Sequence, residues 1–274
     1  MTFSNLATFR LTSQTALVIA RGSVLDFESK HNAAIVNAAN EGCLRGGGVD
    51  GAISKAGGDA LFRARVALPI IEHGVRCLTG DAKLSGPGKF GKIKTNHVIH
   101  AVAPDYYDFL VGEYDEADEL LKSAYKNTLD VADSAGLQEV AFSLLAAGIF
   151  KGKRSLKEVL GMGVVSICSW ARDQPETTSV KYIVLCAFLE KEAKTLLQLA
   201  EDLGLEAVRE DKEDSTAEDT GLETASESME DVSEENEESE ADDMGMETSG
   251  EDGETAPNDE QNPTRSEKAN DSSA

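Results

Sequence analysis

The sequence predicts a three-layer α/β domain followed by a long acidic tail, and three observations carry that prediction. Through residues 1–205, apolar β-type segments alternate with stretches of helical periodicity, the pattern of strands covered by helices. The segment "YIVLCAF", 182–188, is apolar without interruption, as a strand buried on both faces must be. Past Leu205 the composition changes: residues 206–274 carry 26 acids against 4 bases, a net of −22, whereas residues 1–205 carry 24 against 22, a net of −2.

Taken in order, "ATFRLTSQTALVIARG" reads as leading strands, with 16–20 the clearest. This region lacks acids before Asp26 and carries Arg10 and Arg21, which would also suit a transit segment, but its apolar residues have the look of β segments. The next strand, 33–36, runs into Asn37-Ala38-Ala39-Asn40. After Gly46, Gly47 and Gly48, residues 51–66 have apolar positions at helical spacing. Residues 74–94 hold five glycines and a proline, so only a short strand near 81–84 and a surface excursion are expected there. A strand follows at 97–102. A helix at 115–135 ends at Gly136, a good residue for the position just past a helix C-terminus. After the strand 140–144, a helix over 155–172 opens with "SLKE", a capping box from Ser155 to Glu158. The strand 182–188 and an amphipathic helix 192–203, stopped by Gly204, complete the series. There is no internal repeat.

The tail has no Phe, Trp or Tyr and few branched aliphatics. It cannot recover an ordering entropy of about 1–2 kcal/mol per residue, so it is expected to be disordered. Such a block serves solubility or binds basic partners such as arginine-rich segments. Its charge argues against nucleic-acid binding. The four cysteines show no CxxC or Cys/His metal spacing, and three sit in apolar runs as buried reduced thiols, suiting a reducing compartment, cytoplasmic or nuclear. No metal or other cofactor and no membrane span are expected.

Two glycine-containing loops, each between a strand and a helix, stand out: "NAANEGCLRGGGVD" and "SLLAAGIFKGKRSL". Glycines before a helix let backbone N–H groups converge on an anion, and two such loops at adjacent strand ends could hold a diphosphate. GxxxxGK[ST] is absent, and the GxGxxG spacings at 46–51 and 86–91 do not stand immediately between a strand and a helix as in a dinucleotide fold. Asp50 is an acceptor for a hydroxyl or a water, or else a helix cap; Asn40 can both donate and accept, which suits a diol. Phe188 is a stacking face or a core residue. His100, in "VIHAV", reads as a half-buried strand histidine, and Lys151, Lys153 and Arg154 as a solvated cluster that could attract an anion.

With "VRCLTGDA", "VIHAVAPDY" and "FSLLAAGIF" following "IVNAAN…GGGVDGAI" in order, residues 16–205 resemble the macrodomain family. The resemblance implies an α/β/α sandwich around a mixed, mostly parallel sheet and ADP-ribose, free or on a protein, as ligand. By the same resemblance, Asn40 and Asp50 would serve the ribose that carries the leaving group, as catalytic residues. Asn37 would shape the pocket, Gly46, Gly47, Gly48 and Val49 would meet the diphosphate, and Ser143, Ala147, Gly148, Ile149 and Phe150 would supply the opposing loop. Phe188 would stack on adenine. Ser23 stands where many members carry an aspartate that accepts from adenine, and Ser54 where many hydrolases carry a histidine. Ala103 replaces the usual glycine of the "VIHxVGP" motif, and "KGKRS" the common "GYP" loop ending. Three activities follow: hydrolysis of mono-ADP-ribosyl esters or of O-acetyl-ADP-ribose, with Asp50→Ala expected to stop turnover in a folded protein; reading of ADP-ribose without turnover; or removal of the phosphate from ADP-ribose 1″-phosphate.

Overall fold

The computed structural model describes residues 3–208. The acidic segment from position 209 onward, assigned above to a disordered tail, lies outside the described residues. Eight strands form one mixed sheet: β1 (Ser4–Arg10), β2 (Ala16–Arg21), β3 (Ala33–Ala39), β4 (Ala82–Ser85), β5 (His97–Val102), β6 (Glu139–Ser143), β7 (Tyr182–Ala187) and β8 (Glu206–Ala207). Their spatial order is β4-β5-β3-β6-β7-β2-β1-β8. The five central strands, β5 to β2, are parallel, while β4 at one edge and β1 and β8 at the other pair antiparallel. The sheet therefore continues past the composition boundary at Leu205, since Glu206 and Ala207 pair with Arg10 and Phe9.

Four helices cover this sheet: α1 (Gly48–Val66), α2 (Asp115–Ser134), α3 (Leu156–Asp173) and α4 (Glu190–Asp202). Strand periodicity sorts the core into two layers. Ala34, Val36, Val140, Phe142, Ile183 and Leu185 face α2, α3 and α4. Ala33, Ile35, Ala141, Val184 and Cys186 pack with Ile53 and Leu61 of α1 on the other face. This is the three-layer sandwich, with α3 lying between α2 and α4. No described helix is long and apolar enough to cross a membrane.

Most helix ends are closed as the sequence leads one to expect. Ser155 and Glu158 form the capping box of α3, with Oγ accepting at 3.2 Å and Oε2 at 2.9 Å. Gly136 and Gly204 adopt positive φ beyond α2 and α4. Two differences matter for function. The strand β3 runs on to Ala39, so Asn37 belongs to the sheet and not to the loop. And α1, expected as one helix, is broken at Gly58, whose φ of 57° and ψ of −153° are non-helical. The break is fixed from outside, because the Lys92 N–H takes the Ala56 carbonyl at 2.8 Å.

Candidate functional site

In a parallel sheet, ligands sit beyond the carboxyl ends of the strands. Here the strand order β2-β7-β6-β3-β5 places five such ends along one edge. Ser23 follows β2, Phe188 follows β7, residues 144–155 follow β6, residues 40–47 follow β3 and residues 103–108 follow β5. Three inter-strand spacings, about 14 Å in all, separate β2 from β3. The residues singled out in the sequence thus fall in a line, in the order Ser23, Phe188, the Gly148 loop, and then Asn40 with the Gly46–Gly48 loop, which share the end of β3. A wider groove along β1, lined by Phe3, Arg10, Lys181 and Tyr182, lies by the amino ends of β6 and β7, away from this line.

The first loop is closed by Asn40, whose Nδ2 donates to the Arg45 carbonyl at 2.8 Å, and by the Cys43 N–H, which donates to the Asn40 carbonyl at 2.9 Å. Gly46, Gly47 and Gly48 are exposed and Val49 is half-buried. Gly47 is the N-cap of α1 and makes no side-chain cap hydrogen bond. The first N–H groups of α1 are thus left without the partner that a Ser or Asp would supply, which suits an anion. The second loop differs. Ala147 is buried, Gly148 is exposed, and Ile149 and Phe150, in a short 3-10 turn, are exposed. The N-terminus of α3 is closed by its own capping box, so this loop can offer its turn backbone but not a helix end. Cys43 and Ala146, one in each loop, hold positive φ, at 55° and 51°. Backbone outliers of this kind concentrate at functional sites.

The structure bears on several further expectations. Ser143 is buried and its hydroxyl donates to the Val36 carbonyl at 2.8 Å, tying β6 to β3 instead of facing a ligand. Asn37 is wholly buried beneath the cleft and lines none of it. Phe188 is 59% exposed and is not a core residue. The Ser23 hydroxyl accepts from the Leu25 N–H at 3.2 Å, capping a short 3-10 turn. Arg154 is not a free cation: it pairs with Asp118 and Glu158 and lies over the rings of Tyr106 and Tyr114.

Asp50 is the centre of a buried polar chain. It does not cap α1; its side chain is 4% exposed, and Oδ1 accepts from Asn37 Nδ2 at 2.8 Å and from Arg65 Nη2 at 2.9 Å. Asn37 Nδ2 also lies 3.3 Å from His100 Nδ1, and His100 Nε2 lies 3.0 Å from Ser85 Oγ. Since an amide nitrogen only donates, Nδ1 must accept and Nε2 carries the proton toward Ser85. His100 is fully buried and not half-buried; burial, and then the charge of Arg65, pulls its pKa down to about 3, so it is neutral. Arg65 Nη1 donates to Ser54 Oγ at 2.7 Å and to the Leu44 carbonyl at 3.2 Å. Two acceptors in this chain, Asn37 Oδ1 and Asp50 Oδ2, have no partner. Oδ2 lies under Gly46, where any β-carbon would collide with it.

Sequence reasoning missed Arg65 and Arg21. Residues 50 and 65 of a straight helix stand about 22 Å apart along its axis. Their contact exists because the chain turns at Gly58. A signal was present, for Arg65 continues the buried stripe of Ile53, Gly57 and Leu61 at four-residue steps. Arg21 Nη1 donates to the carbonyls of Ala187 (3.1 Å) and Phe188, holding the end of β7 in place.

Beside Asn40 a cleft of about 510 Å³ opens between Glu41, His73, Asp105 and Phe150. The comparisons with known proteins agree with this architecture. The family model described as Macro domain matches residues 36–156. A macro domain-containing protein of Xanthomonas axonopodis pv. citri is 35% identical over 164 residues, 60% of this chain and 85% of that protein. A protein of Pantoea vagans named O-acetyl-ADP-ribose deacetylase 1 is 36% identical over 135 residues, 49% of this chain and 74% of that one. Among solved structures, an Oceanobacillus iheyensis macrodomain with ADP matches with a TM-score of 0.62 at 24% identity, covering 74% of this chain and 98% of its own. A Trypanosoma brucei macrodomain in complex with ADP-ribose matches with a TM-score of 0.53 at 27% identity, covering 66% and 68%. The strand order, the glycine loops and the relatives that span them agree: this chain belongs to the macro domain family.

Proposed function

We propose that this cleft binds ADP-ribose across the carboxyl ends of the parallel strands, and that the chain hydrolyses ester bonds to its terminal ribose. Adenine stacks on Phe188 near Ser23, a contact worth about 1–3 kcal/mol by analogy with base stacking. The diphosphate lies between the uncapped N-terminus of α1 and the Gly148 turn, and the terminal ribose reaches Asn40 and Asp50. Its substituent, an acyl group or an acidic side chain of a protein, leaves through the cleft beside Asn40. The observation that carries this reading is the order, along adjacent strand ends, of the exposed Phe188, the Gly148 loop and the loop that holds Asn40 and Gly46–Gly48. A water oriented between Asp50 and a ligand phosphate attacks the acyl carbon, the ester C–O bond breaks, and the ribose oxygen takes the proton. The gain is mainly one of orientation. The Pantoea relative's name, O-acetyl-ADP-ribose deacetylase, supports the ester as the bond broken.

One observation favours a second reading, a reader without turnover: the Asp50 carboxylate is shared with Asn37 and Arg65, and Ser54 offers no titrating group. Calorimetry with ADP-ribose, paired with release assays on O-acetyl-ADP-ribose and on proteins ADP-ribosylated at Glu or Asp, separates the two. Heat together with product supports the hydrolase, heat without product the reader, and the absence of both rejects the ADP-ribose reading. In either case the acidic segment after Val208 is proposed to attract basic protein surfaces to the domain.

A further inference from the structure

The cleft of about 510 Å³ beside Asn40 carries one sign of charge on its walls: Glu41, Asp105 and Asp108 line it, and among the described residues no lysine or arginine does. Glu41 and Asp105 are half-buried and Asp108 is exposed, so all three can be reached from solvent. Glu41 Oε1 accepts from the Thr79 N–H at 3.0 Å and from the Thr79 hydroxyl at 2.9 Å, which fixes the side chain and leaves Oε2 open among the described residues. Asp105 Oδ1 accepts from the Tyr107 N–H at 3.0 Å, and its second oxygen is likewise open. The nearby cations are already committed. Arg76 stands behind the wall, where Nη1 donates to the carbonyls of Gly42 at 3.5 Å and Gly74 at 3.3 Å. Arg154 is taken by Asp118 and Glu158. Three carboxylates against one buried guanidinium leave about two negative charges in excess. An apolar rim adjoins the cleft. Tyr107, Leu110, Val111 and Ile149 are exposed. They lie in or just after the turns Tyr106–Asp108 and Ile149–Lys151, which touch each other and carry Asp108 and Phe150 of the cleft wall. Exposed apolar groups rimmed by charge mark surfaces that bind other proteins.

We propose that this cleft and its rim dock the protein part of an ADP-ribosylated substrate, and that they select a segment with lysine or arginine beside the modified residue. The role rests on the ADP-ribose reading above, which brings the terminal ribose and its substituent to Asn40. The substituent then lies between Glu41, on the loop after β3, and Asp105 and Asp108, on the loop after β5. A flanking ammonium or guanidinium donates to the open carboxylate oxygens, which only accept, whereas a flanking acid is repelled. Exposed pairs of this kind hold a free peptide weakly. They count once the ADP-ribosyl group anchors the chain beside them and makes the contact intramolecular. The nucleotide is the same in every substrate, so discrimination between acceptor sites falls to this surface.

The test is calorimetry on the full chain with peptides that carry ADP-ribose through a stable aminooxy link, flanked by lysine and arginine, by alanine or by glutamate, with free ADP-ribose as the reference. The basic peptide is expected to bind about 3- to 10-fold more tightly than the alanine peptide, the yield of one or two exposed ion pairs. The glutamate peptide should bind more weakly than either, and the differences should shrink as salt is raised. With Glu41→Gln, Asp105→Asn and Asp108→Asn combined, the three peptides should converge while the affinity for free ADP-ribose is unchanged; the amide oxygens still accept from Thr79 and Tyr107, so the loops keep their hydrogen bonds. Leu110→Ser with Val111→Ser should weaken all three peptides alike and leave free ADP-ribose unchanged. Equal affinity of the wild type for the three peptides overturns the proposal. So does a basic preference that survives the triple variant, which would point to the acidic segment after Val208, and so do peptide affinities unmoved by the two serines. If free ADP-ribose does not bind, the ADP-ribose reading itself fails, whereas its binding with indifference to the flanking residues removes only this docking role.

Discussion

At the scale of single residues, Asp50 has two roles that a substitution must keep apart. It is the carboxylate assigned to the terminal ribose in the proposed site, and it balances a buried guanidinium. Asp50→Ala removes one partner of a buried pair, and a loss of about 3–5 kcal/mol in urea unfolding is expected. The structure thus attaches to this variant a folding cost that the sequence did not reveal. Asp50→Asn keeps the shape and is the better probe of turnover, which it should reduce at least 10-fold in the ester-release assay if a carboxylate orients the water. His100 adds a pH dependence. It titrates near 6.5 when unfolded and near 3 when folded. Between these values the unfolded chain binds a proton that the folded one refuses. Its contribution is therefore complete above about pH 6.5 and falls as pH drops, by up to about 1.4 kcal/mol per unit. Denaturant titrations from pH 7 to 4 should show a shallower slope in His100→Gln than in the wild type. Asn40, Asp50 and the glycines could be picked out from sequence because their types are unusual beside a β segment. Arg65 was legible only as a member of a buried helical stripe; its pairing with Asp50 was not, because that partner is fifteen positions away and the turn that joins them depends on tertiary packing.

At the scale of elements, α1 shows what was legible and what was not. Its start, its apolar spacing and its approximate end follow from sequence, since amphipathic periodicity and glycine placement are local. Its break does not, because Gly57-Gly58 inside a helical pattern reads as a tolerated weakness. The break is held by the Lys92 N–H on the Ala56 carbonyl, a contact from another part of the chain. Gly58→Ala is expected to cost about 1–3 kcal/mol, because its φ and ψ lie where only glycine is at ease. Ser155→Ala in the capping box of α3 is a contrasting case. It should lower stability by about 1 kcal/mol in the same unfolding assay and leave ADP-ribose affinity unchanged.

At the scale of the whole molecule, the sandwich and its parallel core were readable because strand and helix periods alternate over two hundred residues. The linear cleft was not, because strand order is not written in any local pattern; it emerges from β2 and β7 pairing across a separation of about 165 positions. The charge distribution is equally global. With net −2 before position 206 and −22 from it onward, binding of an arginine-rich peptide should depend on the acidic segment and weaken as salt is raised. A chain ending at Val208 should lose that binding and keep its ADP-ribose heat; retention of peptide binding would show that another surface is responsible.

The two-residue strand β8 has a further bearing. It pairs only with the last residues of β1, and among the described residues it leaves the amino half of that strand paired on one side alone, with β2. An open border of this sort invites edge-to-edge growth between copies. Such growth would have to begin on the outer edge of Ser4 to Ala7, since the Val208 N–H already donates to the Thr8 carbonyl at 2.8 Å.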